Sequence, residues 1–329
     1  MIINHLGKTV KSKYFAGVVD YNTVSYIRDN FYNENKDLAV EQLKKIVLGG
    51  KSKSNYVYNY YFERLANDTI VGKDKYSINQ VLESDELVQL FHNRTFASKT
   101  VYKCPDNLDN TISNFKTALR LGGKGICRKP TQFPIKVLRE LLDDYTFAGD
   151  TYYDPCSGWG MRLMVAAEKG LKYVANDTNL ELVNKLNELG KDINEFTPFD
   201  FSISTKGAEN LRTELIDQVD FVFTSPPYFD LEVYEGSGEL LKGSYENWLE
   251  NFITPLIQNC IQYTKSGKYI AINIKNGENP LYDDTLAIGL SLGLELVEER
   301  MLKQTNRTHS TKKHGDSSER IMVFKNVSK

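Results

Sequence analysis

The chain is poor in the residues that hold metals and disulfides. Its four cysteines, Cys104, Cys127, Cys156 and Cys260, stand far apart in 329 residues and form no C-x-x-C pair. That spacing argues against a zinc site or a disulfide framework. The four histidines, His5, His92, His309 and His314, show no ligand spacing beside a carboxylate cluster, so no metal is expected. No run of about 18 apolar residues occurs, so no segment is expected to enter a membrane. The start, Met1-Ile2-Ile3-Asn4-His5, has neither the basic stretch nor the apolar core of a secretory leader. A reducing cytoplasm is the expected setting. Repeats and low-complexity tracts are absent as well.

What is present is enough apolar chain for a full core, with 41% hydrophobic residues, and a length that suits two domains. The net charge of −2 conceals an uneven distribution. Residues 1–130 hold 20 Lys and Arg against 13 Asp and Glu, residues 131–299 hold 13 against 28, and residues 300–329 hold 8 against 2. Basic flanks around an acidic centre are expected of a protein whose flanks follow phosphates.

Beyond residue 130 the pattern alternates strand and helix. Strands are predicted at Thr151–Asp154, Lys172–Asn176, Val219–Ser225 and Lys268–Ile274, and helices at Ile135–Asp144, Trp159–Lys169, Asn179–Leu189 and Tyr245–Tyr263. This rhythm predicts a doubly wound, mostly parallel sheet. Two further strands, Glu295–Leu302 and Glu319–Phe324, have only the polar stretch 304–318 between them. They read as a terminal hairpin.

Two loops in this frame carry chemistry. The first, Asp154-Pro155-Cys156-Ser157-Gly158-Trp159-Gly160, lies between a strand and a helix. Glycines there let a ligand approach the backbone, and the helix start offers free N–H groups. The next strand ends at Asn176-Asp177, where a carboxylate is placed to take both hydroxyls of a ribose. Leu163 stands where a dinucleotide fingerprint has its third glycine, which disfavours NAD. The second loop, Thr224-Ser225-Pro226-Pro227-Tyr228-Phe229, closes the run Val219–Phe223. Its prolines fix the backbone and leave acceptors pointing outward. Ser225 and the Pro226 carbonyl can accept from an exocyclic amine while Tyr228 stacks on the ring that bears it.

With those loops the chain resembles the amino-methyltransferases of DNA, whose catalytic motif reads Asp, Asn or Ser, then Pro-Pro, then an aromatic residue. The resemblance covers roughly residues 128–326. It implies a Rossmann-like class I methyltransferase fold with an antiparallel C-terminal hairpin, and S-adenosyl-L-methionine as cofactor. Asp154, Pro155, Gly158 and Gly160 then form the cofactor turn, and Asp177 holds the ribose. Asp200 would meet the adenine amino group, with Phe201 packing nearby. Lys129 and Pro130 would line the methionine half, and Ser225, Pro226, Pro227 and Tyr228 would be catalytic. Cys156 and Trp159 depart from the family, which more often has Phe and a small residue there.

The implied reaction is methylation of a base amine in double-stranded DNA, with the target base flipped out. Cytosine N4 is favoured slightly over adenine N6, because Ser at the first motif position is commoner among the cytosine enzymes. RNA, a protein glutamine amide, or a non-catalytic nucleic-acid-binding module keeping the fold are the alternatives. Residues 128–329 form the expected catalytic domain, and residues 1–127, mainly helical, the expected recognition domain. In the latter the helical stretch Asp37–Leu48, the loop bearing Lys51 and Lys53, and the aromatic run Tyr56–Phe62 stand out. Lys51, Lys53, Arg307, Lys312 and Lys313 are the expected phosphate contacts, and residues 230–244 a lid.

Overall fold

In the computed structural model the residues described are 2–3, 9–10, 21–32, 35–50, 52–71, 75–96, 108–120, 125–130, 132–229, 232–233, 243–302 and 319–327. They cluster into two compact units, one of residues 1–36, 62–131 and 230–235, the other of residues 37–61, 132–229 and 236–329.

The second unit is built on a seven-stranded sheet. Its strands are β1 (Thr151–Asp154), β2 (Lys172–Asn176), β3 (Phe201–Ser204), β4 (Val219–Thr224), β5 (Thr264–Ile274), β6 (Glu295–Met301) and β7 (Arg320–Lys325). Their spatial order is β6-β7-β5-β4-β1-β2-β3. The first five run parallel, and β7 lies antiparallel between β5 and β6. This is the Rossmann-like sheet with an inserted antiparallel hairpin that the sequence predicts. β4 is buried at every position, as a central strand covered on both faces must be. Burying Phe221 and Phe223 contributes about 1.5–3 kcal/mol each. Tyrosines fill much of the interior and meet edge-on, Tyr152 with Tyr173 at 5.4 Å and Tyr153 with Tyr263 at 5.3 Å. Tyr152 sends its hydroxyl to the carbonyl of Phe223, 3.2 Å away.

The helices of this unit follow local signals. Pro134 precedes α1 (Ile135–Tyr145), and Gly160 precedes α2 (Met161–Glu168). Asn179 caps α3 (Leu180–Asn194) by accepting from the Leu182 N–H at 3.0 Å. The stretch 245–263, predicted as one helix, passes through a π-helical turn at Leu249–Ile253 before α4 (Thr254–Tyr263). Strand β3, like the helix Leu281–Ser291, is absent from the sequence reading. Its four residues, Phe-Ser-Ile-Ser, alternate with too few apolar positions to announce a strand.

The helices Lys36–Val47 and Ser54–Tyr61 cluster almost wholly with the sheet, although they precede residue 128. Much of the aromatic run is core: Val57, Tyr58 and Tyr61 are buried, and the Tyr61 hydroxyl donates to the Asp192 carboxylate of α3.

The first unit is mainly helical, with Ile27, Phe31, Val88, Phe91, Phe115 and Ala118 in its core. Ser77 and Gln80 form a reciprocal capping box on the helix Ile78–Glu83. A short antiparallel pair, Ile70–Val71 with Glu232–Val233, ties part of the expected lid into this unit. The remainder of that lid, apart from residues 243–244, lies outside the described residues.

Candidate active site

The sheet reverses its winding at β1. From β1 the chain steps outward to β2 and β3, then returns to β4 on the other side. Ligands of open α/β sheets bind at the carboxyl ends of strands flanking such a reversal. Three loops leave that edge here: 155–160 after β1, Asp177 onward after β2, and Ser225–Phe229 after β4.

The loop after β1 is a tight, cross-braced turn. Gly158 and Gly160 adopt φ of 56° and 76°, a region closed to most side chains. The Ser157 N–H donates to the Asn176 carbonyl at 2.9 Å, and its hydroxyl reaches the Asp177 carboxylate at 3.4 Å. Beneath the turn lies Arg162 of α2. Its Nε donates to Asp154 Oδ2 at 2.6 Å, and its Nη2 donates to the Cys156 carbonyl. Tyr173 adds its hydroxyl to the same Asp154 oxygen at 2.8 Å. Burial pushes the Asp154 carboxyl up, against the pull of Arg162 and Tyr173. Asp154 is 0% exposed, so it holds the turn from below and turns to Arg162 rather than to solvent.

Asp177 is half-buried at the end of β2. Burial lifts its carboxyl to about 6, while the amides of Asn179 and Gly158 hold it down. The Asn179 N–H donates to one of its oxygens at 3.0 Å. Asn176 beside it is locked in turn: it donates to the Lys206 carbonyl at 3.1 Å and accepts from Arg212 at 2.8 Å. Neither Arg162 nor Arg212 was singled out in the sequence. Arg212 acts through Asn176, 36 residues away, a separation that single-sequence spacing does not bridge; Arg162 is only 8 residues from Asp154, but its role depends on that carboxylate being buried.

At the end of β4, Ser225 and Pro227 are half-buried, and Pro226 and Tyr228 are buried. Asn273 of β5 donates to Ser225 Oγ at 3.1 Å and to Glu319 Oε1 at 3.0 Å. The Tyr228 hydroxyl donates to the same Glu319 oxygen at 2.9 Å, and Lys275 Nζ lies 5.7 Å from the centre of the Tyr228 ring. β1 and β4 are hydrogen-bonded neighbours, with Tyr153 opposite Val222, so the glycine turn and the Ser225 turn emerge side by side.

One expected pair of site residues lies away from this edge of the sheet. Asp200 and Phe201 occupy the amino end of β3, where Phe201 pairs with Tyr173, and not the carboxyl end that borders Asp177. The Phe201 ring presses on α3, such that a Cβ on Gly190 would sit 2.4 Å from its Cζ, and it stacks on Phe199 at 5.4 Å. Assignment of this pair to an adenine pocket is therefore corrected. Ser204, whose carbonyl accepts from the Asp177 N–H at 3.0 Å, marks the end of β3 that borders the site. Lys129 and Pro130 belong to the first unit, and Lys129 donates to the buried carboxylate of Glu63 at 2.6 Å. A buried carboxylate needs such a cation. Lys53 is exposed, with its ammonium 6.0 Å from the Tyr56 ring centre. Lys51, Arg307, Lys312 and Lys313 lie outside the described residues.

No family model and no curated protein matches the chain. Solved structures that resemble it include a TehB-like SAM-dependent methyltransferase from Corynebacterium glutamicum, 12% identical at a TM-score of 0.41, covering 66% of this chain and 96% of that one. A methyltransferase from Pyrococcus furiosus is 15% identical at a TM-score of 0.41 with the same coverage. A SAM-dependent O-methyltransferase from Thermotoga maritima is 14% identical at 0.39, covering 61% and 68%. The fold assignment itself rests on the strand order and directions.

Proposed function

We propose that the chain is an S-adenosylmethionine-dependent methyltransferase that acts on the exocyclic amine of a DNA base, cytosine N4 ahead of adenine N6. The observation that carries this reading is the side-by-side exit of the glycine turn and the Ser225 turn from β1 and β4. A methyl donor held by the first would face an amine held by the second.

The residues present fit such a cofactor. Gly158 and Gly160 present bare backbone at two positions of the turn, and Asp177 offers a carboxylate for a ribose diol at the end of β2. When bound, S-adenosylmethionine supplies an electrophilic methyl group on a sulfonium. The chain's own residues prepare the amine. An exocyclic nitrogen conjugated to its ring is a poor nucleophile; Ser225 Oγ and the Pro226 carbonyl accept its two hydrogens and gather the lone pair on nitrogen. Tyr228 supplies an aromatic face for the ring. Positioning and fixed dipoles then account for most of the rate, and the methylated nitrogen sheds its proton afterwards. The basic flanks of the sequence would hold the phosphates.

The test is incubation of the purified protein with methyl-labelled S-adenosylmethionine and unmethylated duplex DNA, followed by digestion to nucleosides. Label in N4-methylcytosine or N6-methyladenine is expected. Label found only in RNA or in protein glutamine, when those are supplied instead, would overturn the DNA assignment. Failure of the protein to bind the cofactor at all would overturn the enzyme reading.

A further inference from the structure

We propose that Glu319 is a positioning residue of the amine pocket, setting the Ser225 hydroxyl through Asn273 and the Tyr228 ring through its phenol. The proposal deepens the methyltransferase reading and rests on it. One carboxylate oxygen, Oε1, receives both the Tyr228 O–H at 2.9 Å and the Asn273 N–H at 3.0 Å. An amide nitrogen has two hydrogens, and Asn273 gives its second to Ser225 Oγ at 3.1 Å. The two ends of the Ser-Pro-Pro-Tyr turn are thus tied to a single anion.

The orientation of Asn273 shows which group governs the network. Its side chain is buried, and its Oδ1 has no hydrogen-bond partner among the described residues. A buried acceptor left unpaired is unfavourable, yet turning the amide over would set an oxygen against the Glu319 carboxylate. The carboxylate therefore fixes the amide, and the amide presents a donor to Ser225. With one position about Oγ taken by the Asn273 N–H, the hydroxyl hydrogen is confined to the other two, and one lone pair stays open to accept. Ser225 then keeps a lone pair for one substrate N–H with its hydroxyl limited to two settings, where a free serine would have three. Tyr228 is likewise held by its hydroxyl, so its ring plane is fixed before the base arrives.

This arrangement distinguishes a tether from a base. A tether needs only an acceptor oxygen at that point; a proton acceptor needs the charge. Glu319→Gln retains an oxygen that both donors can reach, whereas Glu319→Ala removes it. Glu319→Asp, one methylene shorter, should fail to reach both donors and serves if the alanine variant does not fold. Two measurements decide the matter. In steady-state methylation of duplex DNA, Glu319→Ala should lower kcat at least about tenfold, roughly the loss of one good hydrogen bond from the transition state. Cofactor Kd should stay within about twofold, because the turn that binds the cofactor is not touched, and Glu319→Gln should stay within about threefold of wild type. In protein labelled with ¹⁵N-asparagine and free of ligands, the Asn273 side-chain amide signals, identified by their loss in Asn273→Asp, should move in Glu319→Ala and hold near place in Glu319→Gln. Equal damage from Gln and Ala would overturn the tether in favour of proton acceptance. Unmoved amide signals in a folded Glu319→Ala protein would overturn it outright. If wild type methylates nothing, the functional reading fails, and the amide signals still decide the network.

Discussion

Replacing Arg162 by methionine isolates what lies beneath the cofactor turn. Methionine keeps much of the side-chain volume but removes the guanidinium that donates to Asp154 at 2.6 Å and to the Cys156 carbonyl. Side-chain exposure is 6% for Arg162 and 0% for Asp154, so solvent cannot replace the lost partner. Asp154 would retain the Tyr173 hydroxyl and lose its countercharge. Breaking one side of a buried pair costs about 3–5 kcal/mol. The independent route agrees: two hydrogen bonds to a charged group at about 1.5–3 kcal/mol each give about 3–6 kcal/mol. Urea unfolding, followed by the near-ultraviolet signal of the buried tyrosines, should show this as a lower midpoint at unchanged slope. Because a lone buried charge is the cause, Asp154→Leu combined with Arg162→Met should be less damaging than the single change. A loss below about 1 kcal/mol for Arg162→Met, or strictly additive losses in the cycle, would refute the argument.

Four further outcomes follow, three from the site and one from the basic end of the sequence. Asp177→Ala should weaken S-adenosylmethionine binding by about 1.5–3 kcal/mol, measured by calorimetry; unchanged affinity in the folded variant would remove Asp177 from the site. Asp177 also sets a pH dependence. Its folded carboxyl titrates near 6 and its unfolded one near 3.8, so its contribution to stability is complete below pH about 4 and lost as pH rises through about 6. The difference amounts to at most about 3 kcal/mol and should vanish in Asp177→Asn, while cofactor affinity of wild type should improve over the same rise. Ser225→Ala and Tyr228→Ala should each lower turnover by at least about tenfold with cofactor affinity nearly intact, and wild-type turnover from a folded Tyr228→Ala would mark the turn as purely structural. Neutralising Lys312 and Lys313 together should flatten the slope of log DNA affinity against log salt by up to about two units; parallel lines would free both lysines from any phosphate contact.

Legibility in the sequence followed the range of the physics. The glycine turn and the Ser225 turn were readable because glycine and proline impose their geometry on neighbouring residues. The β4 run was readable because Val219–Phe223 is short, β-rich and ended by prolines. Strand β3 was not, since Phe201-Ser202-Ile203-Ser204 lacks a decisive pattern, and without it nothing in the sequence showed that Asp200, expected at the adenine amino group, stands just before a strand and away from its carboxyl end. Arg162 sits in plain view within the motif, but its role depends on Asp154 being buried, which only the folded sheet decides. Asn273 and Glu319 are 48 and 91 residues from their partners in the Ser225 turn, a separation no local rule bridges.

The insertion of β7 between β5 and β6 has a consequence for the order in which the molecule can be made. β6 is synthesised before β7 and, among the described residues, pairs with β7 alone. On a ribosome adding about 5–20 residues each second, β6 must therefore wait, with its backbone groups open, until residues 320–325 have emerged. The parallel strands β1 to β5 can associate in the meantime, leaving the edge of β5 uncovered. Closure then comes in one step, because β7 satisfies β5 on one side and β6 on the other. Glu319, one residue before β7, arrives in the same step. A chain shortened before residue 319 would lose two strands rather than one, and with them the carboxylate beside Ser225.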